Sequence, residues 1–252
     1  MNKVSLVIPI YNEATHLELF LKKVDEFDLG VAKQLVLVDD CSKDQSAAIV
    51  EKFPFKSDVK FVRHEVNKGK GAALRTGIGY AEGDIIGIQD ADFEYDMADI
   101  PKLLQPLVEG KADVVYGSRF KKDGIQVHRT YHYLVNRFLT LMSNLLSGLY
   151  LSDMETCYKF FRREIIKNVV LESNRFGFEP EITAKIAKLN VSVVEIPISY
   201  YPRNYLAGKK ITWKDGVAAV RHIFYFNLTK KPAECFTKEM PSKYQSSRFI
   251  FL

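Results

Sequence analysis

Residues Asp84–Asp92 read Asp-Ile-Ile-Gly-Ile-Gln-Asp-Ala-Asp. Ile85 to Ile88 is a short β-branched apolar run, the pattern of a strand covered on both faces, and it runs straight into two carboxylates. In an extended chain, residues two apart face the same side, so Asp90 and Asp92 can both leave the strand end toward one hard divalent cation. An ion held there neutralises a diphosphate leaving group. A solvated acidic turn has the same composition, so the surroundings of this stretch have to separate the two readings.

Working outward, Val4–Ile10, Gln34–Val38, Val59–Val62 and Asp113–Tyr116 repeat the apolar pattern of the stretch Asp84–Ile88, and the segments between them are helix-forming. This alternation predicts an α/β fold with a mostly parallel sheet and helices on both faces. Ligands of such sheets bind in the crevice beyond the carboxyl ends of the strands. The polar residues that follow the strands are therefore the candidates: Tyr11–Glu13, Asp39 and Asp40, Asn67–Lys70, Asp90–Asp92, and Gly117–Arg119. One of Asp39 and Asp40 can accept the N3 proton of uracil or the N1 and N2 protons of guanine. The other can cap a helix starting near Asp44, and both also suit an ordinary turn. In Asn67–Gly71 (NKGKG) the glycines allow close backbone approach and Lys70 brings charge, which fits a donor-side role or a bare tight turn.

The second half is less regular. A charged, Gly-containing loop (Lys121–Gly124) leads to an amphipathic helix over Tyr133–Leu151. Asn136, Thr140, Ser143, Asn144 and Ser147 share one side of it, and Leu134, Phe138, Leu141, Leu145 and Leu149 another. Such a helix lies on a core or at an interface, and the core-facing orientation is the expectation; Arg129 and Arg137 near its start favour the interface. A short segment at Tyr158–Phe161, a helix over Pro180–Leu189, a strand over Val191–Ile196 and a basic loop over Tyr200–Lys210 follow. The last helix carries Trp213, Val217, Val220, Phe224 and Leu228 on one side and stops at Lys230, Lys231 and Pro232.

Composition narrows the class. With 252 residues, 47% hydrophobic and 27% charged, the chain has material for a large core and none of the bias of a disordered protein. The net charge of +5 suits anionic ligands or acidic surfaces, while interspersed Asp and Glu and the lack of a nucleic-acid motif argue against nucleic acid. Three scattered cysteines, Cys41, Cys157 and Cys235, form neither a disulfide framework nor a metal knuckle. No secretory pattern precedes Val4 and no run is apolar enough to span a bilayer, so a cytoplasmic protein, with at most peripheral membrane contact, is expected. There is no GxGxxG after the first strand and no GxxxxGK[ST], which removes dinucleotide oxidoreductases and P-loop nucleotidases.

In order along the chain stand VSLVIPIYNE (from Val4), LVDDCSKD (from Leu37), NKGKGAALRTG (from Asn67), DAD (from Asp90), GSR (from Gly117), ETCYKFFRRE (from Glu155), FEPEITAKIAK (from Phe178) and GKKITWKDG (from Gly208). Together they resemble the family 2 glycosyltransferases, and within them the dolichol-phosphate mannose synthase and polyprenyl-phosphate glycosyltransferase branch. The resemblance spans Val4 to Gly216. It implies a GT-A fold, a mostly parallel central sheet flanked by helices with acceptor-side helices toward the C-terminus, and an inverting transfer from a GDP- or UDP-linked sugar. It implies a nucleotide-sugar cradle of Pro9, Tyr11, Glu13 and Asp39, joined by Lys70, Asp90 and Ala91. It assigns Mg2+ or Mn2+ to Asp90 and Asp92 with Glu94 as a further ligand, and makes Asp92 and Arg119 catalytic.

The implied acceptor is a polyprenyl phosphate, with Arg119, Arg129, Arg203 and Lys209 to meet its charge. An ionised phosphate attacks without a protein base. A hydroxyl acceptor on a glycolipid or saccharide needs one, and Asp153 or Glu155 is the candidate. A non-catalytic nucleotide-sugar-binding protein is the rival from another class. The chain departs from the family pattern at Glu94, where many relatives have Gln, and at Thr156-Cys157, where relatives often have Thr-Gly; it also lacks the transmembrane helices of membrane-bound relatives. Residues 1–232 are expected to form one catalytic domain, with a nucleotide-sugar half (1–120) and an acceptor half (121–232), followed by a loosely packed tail (233–252).

Overall fold

The structure is a computed structural model that describes residues 3–120, 130–202 and 213–246. Among them seven strands form one sheet in the order β3-β2-β1-β4-β6-β5-β7. The strands are β1 (Lys3–Ile10), β2 (Ala32–Asp39), β3 (Asp58–Arg63), β4 (Ile85–Ile88), β5 (Val114–Ser118), β6 (Lys159–Arg162) and β7 (Val193–Pro197). β1 pairs in parallel with β2 and β4, β2 with β3, and β5 with β7. Only β6 runs the other way, antiparallel to both β4 and β5.

Parallel neighbours need crossovers, and the helices α1 (Ala14–Glu26), α2 (Ser46–Lys52) and α3 (Lys70–Tyr80) supply them between β1 and β4. β1, β2 and β4 are almost continuously apolar because helices cover both faces; edge strand β3 alternates in exposure. The chain winds outward from β1 through β2 to β3, then returns to place β4 on the other side of β1. That reversal opens a crevice beyond the carboxyl ends of β1 and β4. α4 (Ile100–Val108) leads into β5.

Beyond β5, α5 (Thr130–Ser147) and α8 (Trp213–Phe224, continued by a π turn over Tyr225–Thr229) pack on each other around Leu139, Met154, Ala219 and Ile223, a small core separate from the main one. The core-facing expectation for α5 holds for Leu139, with Val135, Met142 and Leu146 beside it, but not for the leucine stripe that the sequence singles out. Thr140 and Ser143 are 2% and 0% exposed, while Leu141 and Leu145 are 55% and 73% exposed. The amphipathic pattern is real and its apolar stripe faces outward. Thr140 turns inward to accept the backbone N–H of Met154 through its hydroxyl.

The segment after Pro232 is not loosely packed as far as the structure describes it. After α6 (Arg163–Ile166) and α7 (Phe178–Ile186), the chain from α9 (Pro232–Cys235) lies back against both. Val170 N–H donates to the Cys235 carbonyl, and Asn190 N–H to that of Tyr244. Cys235, Met240 and Tyr244 are buried, each a single anchor in an otherwise polar stretch. No helix of the described residues is long and apolar enough to cross a membrane.

Candidate active site

The turns after β1 and β2 are stitched together. Asn12 takes a left-handed backbone (φ of 51°), which a short amide side chain tolerates best among non-glycine residues. Its N–H donates to Ser42 Oγ at 2.9 Å and its Oδ1 accepts from Lys43 N–H at 2.8 Å. Asp44 accepts the N–H of Ala14 at the start of α1 and that of Ser46 at the start of α2. This arrangement fixes Pro9, Tyr11 and Glu13 beside Asp39 at one wall of the crevice. Asp39 is fully buried; its Oδ2 accepts from Ser42 N–H at 3.1 Å and lies 3.4 Å from Arg63 Nε. Its Oδ1 has no partner among the described residues.

Asp40 does not cap the helix after it, as one sequence reading had it; Asp44 serves α2 instead. The Asp40 carboxylate reaches across to the next loop and accepts the N–H groups of Lys68 and Gly69 at 2.9 and 2.6 Å. The glycines of NKGKG answer to the chain itself. A Cβ on Gly69 (φ of 95°) would stand 2.3 Å from the Asn174 carbonyl oxygen, and one on Gly71 2.4 Å from that of Ser173. The N–H groups of Gly71 and Ala72 donate to Arg175 and Asn174 carbonyls. The loop before α7 therefore closes over the start of α3.

Lys70, the first residue of α3, reaches the end of β4. Its Nζ is 2.9 Å from Asp90 Oδ1 and 3.4 Å from Glu179 on α7. Burial works against the ammonium, but the carboxylates of Asp90 and Glu179 outweigh it and hold the Lys70 pKa well above that of an ordinary lysine. The extended geometry expected for the acidic pair ends at Ile88; residues 91–94 form a bend. Asp92, 8% exposed, accepts the Glu94 N–H at 3.0 Å, and the Glu94 carboxylate accepts from Tyr200 O–H at 2.9 Å. Ala91 is buried between the two aspartates. Among the described residues no three His, Cys, Asp or Glu side chains are gathered as a metal cluster, so Asp90, Asp92 and Glu94 are neighbours without forming a closed cage.

Across the crevice, Arg119 at the end of β5 meets Asp153, which is fully buried. Burial opposes the guanidinium, but the Asp153 carboxylate prevails and holds the Arg119 pKa above its ordinary value. The guanidinium also lies over the rings of Tyr200 and Phe120. The turn carrying Asp153 is pinned by Glu195, which accepts the N–H groups of Ser152 and Asp153, and by the fully buried Lys159, which donates to the carbonyls of Met154 and Thr156. Glu155 follows in that turn with its Oε1 buried and unpartnered among the described residues. Burial, with help from Glu179 and against Lys159 and Arg119, pushes its carboxyl up to about 8. Burial pulls the Lys159 pKa down.

The ends of β1, β2 and β4 and the start of α3 carry Pro9, Tyr11, Glu13, Asp39, Lys70, Asp90, Ala91, Asp92 and Glu94, and Tyr200 links Glu94 to Arg119, which holds Asp153. Arg129, Arg203 and Lys209 lie outside the described residues. Sequence reasoning missed Glu179 and Tyr200. Glu179 stood inside a quoted motif, FEPE, and a carboxylate in the first turn of a helix was its available signal; Tyr200 had none.

Residues 5–170 match the family profile described as Glycosyl transferase family 2. A dolichol-phosphate mannosyltransferase of Pyrococcus furiosus is 29% identical over 225 residues, 88% of this chain and 63% of its own length. An undecaprenyl-phosphate 4-deoxy-4-formamido-L-arabinose transferase of Proteus mirabilis is 29% identical over 209 residues, 81% of this chain and 62% of its own. The chain thus spans under two thirds of both relatives. The crystal structure of glucosyl-3-phosphoglycerate synthase from Mycobacterium tuberculosis with Mn2+, uridine diphosphate and phosphoglyceric acid superposes with a TM-score of 0.68 at 16% identity, covering 91% of this chain and 80% of that one. The fold they share is the GT-A fold.

Proposed function

The chain belongs to glycosyl transferase family 2, and from that premise we propose that it moves a sugar from a nucleotide diphosphate sugar to a polyprenyl phosphate, inverting the anomeric centre. The observation that carries the donor half is Asp39. A buried carboxylate oxygen without a donor costs on the order of 1–3 kcal/mol or more, and a base N–H entering the crevice removes that cost. The names of both curated relatives contain a polyprenyl phosphate, which supports the acceptor half.

The acidic pair fits a divalent ion. Asp90 and Asp92 are hard oxygen donors at a strand end, and a divalent ion there would share Asp90 with the Lys70 ammonium that already pairs with it. With Mg2+ or Mn2+ bound by Asp90 and Asp92, and Glu94 as a further ligand, the ion supplies positive charge for the departing diphosphate. Lys70 adds a fixed cation on the same side. Pro9, Tyr11, Glu13, Asp39 and Ala91 cradle the nucleotide sugar.

Arg119 orients the acceptor. Asp153 occupies one edge of its guanidinium, and the other edge carries the remaining donors toward a phosphate oxygen. Arg129, Arg203 and Lys209, which lie outside the described residues, are assigned to the same phosphate by the family resemblance alone. A phosphate oxygen then forms the bond to the anomeric carbon while the bond to the nucleotide breaks and its electron pair leaves with the diphosphate. The acceptor is already ionised, so no side chain removes a proton. The outward stripe of α5, Leu134, Phe138, Leu141 and Leu145, supports peripheral docking on the cytoplasmic face of a membrane that holds the lipid.

One observation favours a second reading. Glu155, with an unpartnered oxygen, is the carboxylate left for proton removal from a hydroxyl acceptor once it is ionised, above about pH 8, whereas Asp153 is committed to Arg119. Purified protein given a panel of nucleotide diphosphate sugars, Mn2+ and polyprenyl phosphate should yield an organic-soluble glycolipid. Product only from neutral hydroxyl acceptors, lost in Glu155→Gln, would replace the lipid-phosphate reading. A panel in which no nucleotide diphosphate raises the melting temperature would remove the donor site.

A further inference from the structure

His64, immediately after β3, is buried and has no part in the mechanism above. Its Nδ1 lies 2.7 Å from Asp40 Oδ1 and its Nε2 2.9 Å from Thr76 Oγ1. The carboxylate only accepts, so Nδ1 carries its proton toward Asp40, and the Thr76 hydroxyl serves whichever role Nε2 leaves to it. The imidazole is thus a rigid strut between the end of β2 and the body of α3.

Both ends of this strut bear on the loop that leads to Lys70. Asp40 holds the N–H groups of Lys68 and Gly69, and its carbonyl accepts from Asn67 Nδ2 at 3.1 Å. Thr76 lies in the helix that Lys70 begins. The His64 backbone N–H donates to the Asp39 carbonyl at 2.8 Å, which keeps this residue beside the aspartate assigned to the base. A buried imidazole needs a partner at each ring nitrogen wherever it sits; what sets His64 apart is that one of its partners is Asp40, the aspartate from which the loop hangs.

We propose that His64 is a positioning residue which, through Asp40 and Thr76, sets the Asn67–Gly69 loop and so holds Lys70 against Asp90; its consequence for donor binding rests on the reading of the crevice as a nucleotide-sugar site. The bland alternative is a satisfied core histidine, whose loss lowers the melting temperature and changes nothing specific.

The test uses the far end of the strut, where replacement is isosteric. Thr76→Val deletes the hydroxyl, Thr76→Ser keeps it, and His64→Gln and His64→Asn remove the ring while each retains an amide. In steady-state kinetics Thr76→Val should raise the KM for the donor sugar about fivefold, the scale of one lost hydrogen bond. It should leave kcat and the acceptor KM within about twofold, because an interaction equal in ground and transition states moves KM alone. Thr76→Ser should match the wild type. Amide hydrogen exchange gives a readout independent of turnover: the Lys68 and Gly69 amides should exchange faster in Thr76→Val and in both His64 variants than in Thr76→Ser. Equal exchange and equal donor KM in Thr76→Val and Thr76→Ser would overturn the proposal, whatever the melting temperatures. Should the wild type bind no nucleotide diphosphate, the donor reading fails by itself, and the exchange comparison still decides whether His64 positions the loop.

Discussion

Arg119 and Asp153 grip each other at two points, Nε to Oδ2 at 2.7 Å and Nη2 to Oδ1 at 2.8 Å, while the Arg119 N–H donates to Oδ2 at 3.0 Å. The side chains are 10% and 0% exposed, so water competes little for Arg119 and not at all for Asp153. Removing one partner of such a pair leaves a buried charge and costs on the order of 3–5 kcal/mol. Asp153→Asn is therefore expected to lower the urea midpoint markedly and to lose transfer together with stability. The double variant Arg119→Met, Asp153→Leu should recover much of the stability, since apolar side chains replace the pair without a stranded charge, and should remain inactive. Full transfer by the double variant would show that the guanidinium does not meet the acceptor.

Asp92→Ala separates chemistry from folding. Loss of the Glu94 N–H bond to Asp92 by itself costs about 1 kcal/mol of stability. If it holds the ion, the same change should lower kcat by about 100-fold or more and abolish the Mn2+-dependent rise in melting temperature given by nucleotide diphosphates. Asp90→Asn should add a second effect, because Lys70 loses the carboxylate closest to it. Normal metal-dependent turnover in Asp92→Ala would remove the metal assignment.

The strands β1 to β5 were legible because each is a short β-branched run between helix-forming segments, and the acidic and basic residues at their ends were legible as a crevice by the rule of strand termini. What escaped depended on distance. Glu94 and Tyr200 are 106 residues apart and Arg119 and Asp153 34, and no spacing rule connects them. β6 has four residues, KFFR, and nothing in them says that the strand enters the gap between β4 and β5 antiparallel to both. In α5 the periodicity gave two faces correctly, but the expectation that the leucine stripe turns inward did not hold. Thr140 and Ser143 went inside, where a backbone N–H could use the threonine, and the leucines stayed out.

Glu155 predicts a pH dependence of stability. In the unfolded chain its carboxyl titrates near 4.5, and in the fold burial raises it to about 8. Between those values the folded state keeps a proton that the unfolded state releases, so stability falls as pH rises through this window, and the loss is complete above the folded value. Melting temperatures taken from about pH 5.5 to about pH 8.5 should decline in the wild type more than in Glu155→Gln, which has no proton to lose. Parallel declines in the two proteins would mean that Glu155 is ionised throughout. The same variant separates the acceptors: transfer to a lipid phosphate survives it, and transfer to a hydroxyl does not.

The outward stripe of α5 predicts how the protein meets its acceptor. Leu141 and Leu145 stand more than half exposed on a helix whose sequence carries no acidic residue, with Arg137 in the same exposed region. Burial of a leucine side chain contributes about 2 kcal/mol, so a few such residues bind a lipid surface reversibly, and a basic side chain adds attraction to anionic headgroups. The protein should sediment with vesicles of anionic phospholipid. Leu141→Glu with Leu145→Glu should leave it in the supernatant and shift stability by no more than about 0.5 kcal/mol, as expected for exposed positions. Transfer to a long-chain polyprenyl phosphate in vesicles should fall with binding, while transfer to a short-chain, water-soluble phosphate should not, because the crevice is untouched. If light scattering instead shows a dimer that the double substitution dissociates, with no vesicle binding in the wild type, the stripe serves a second copy of the chain and the membrane reading is wrong.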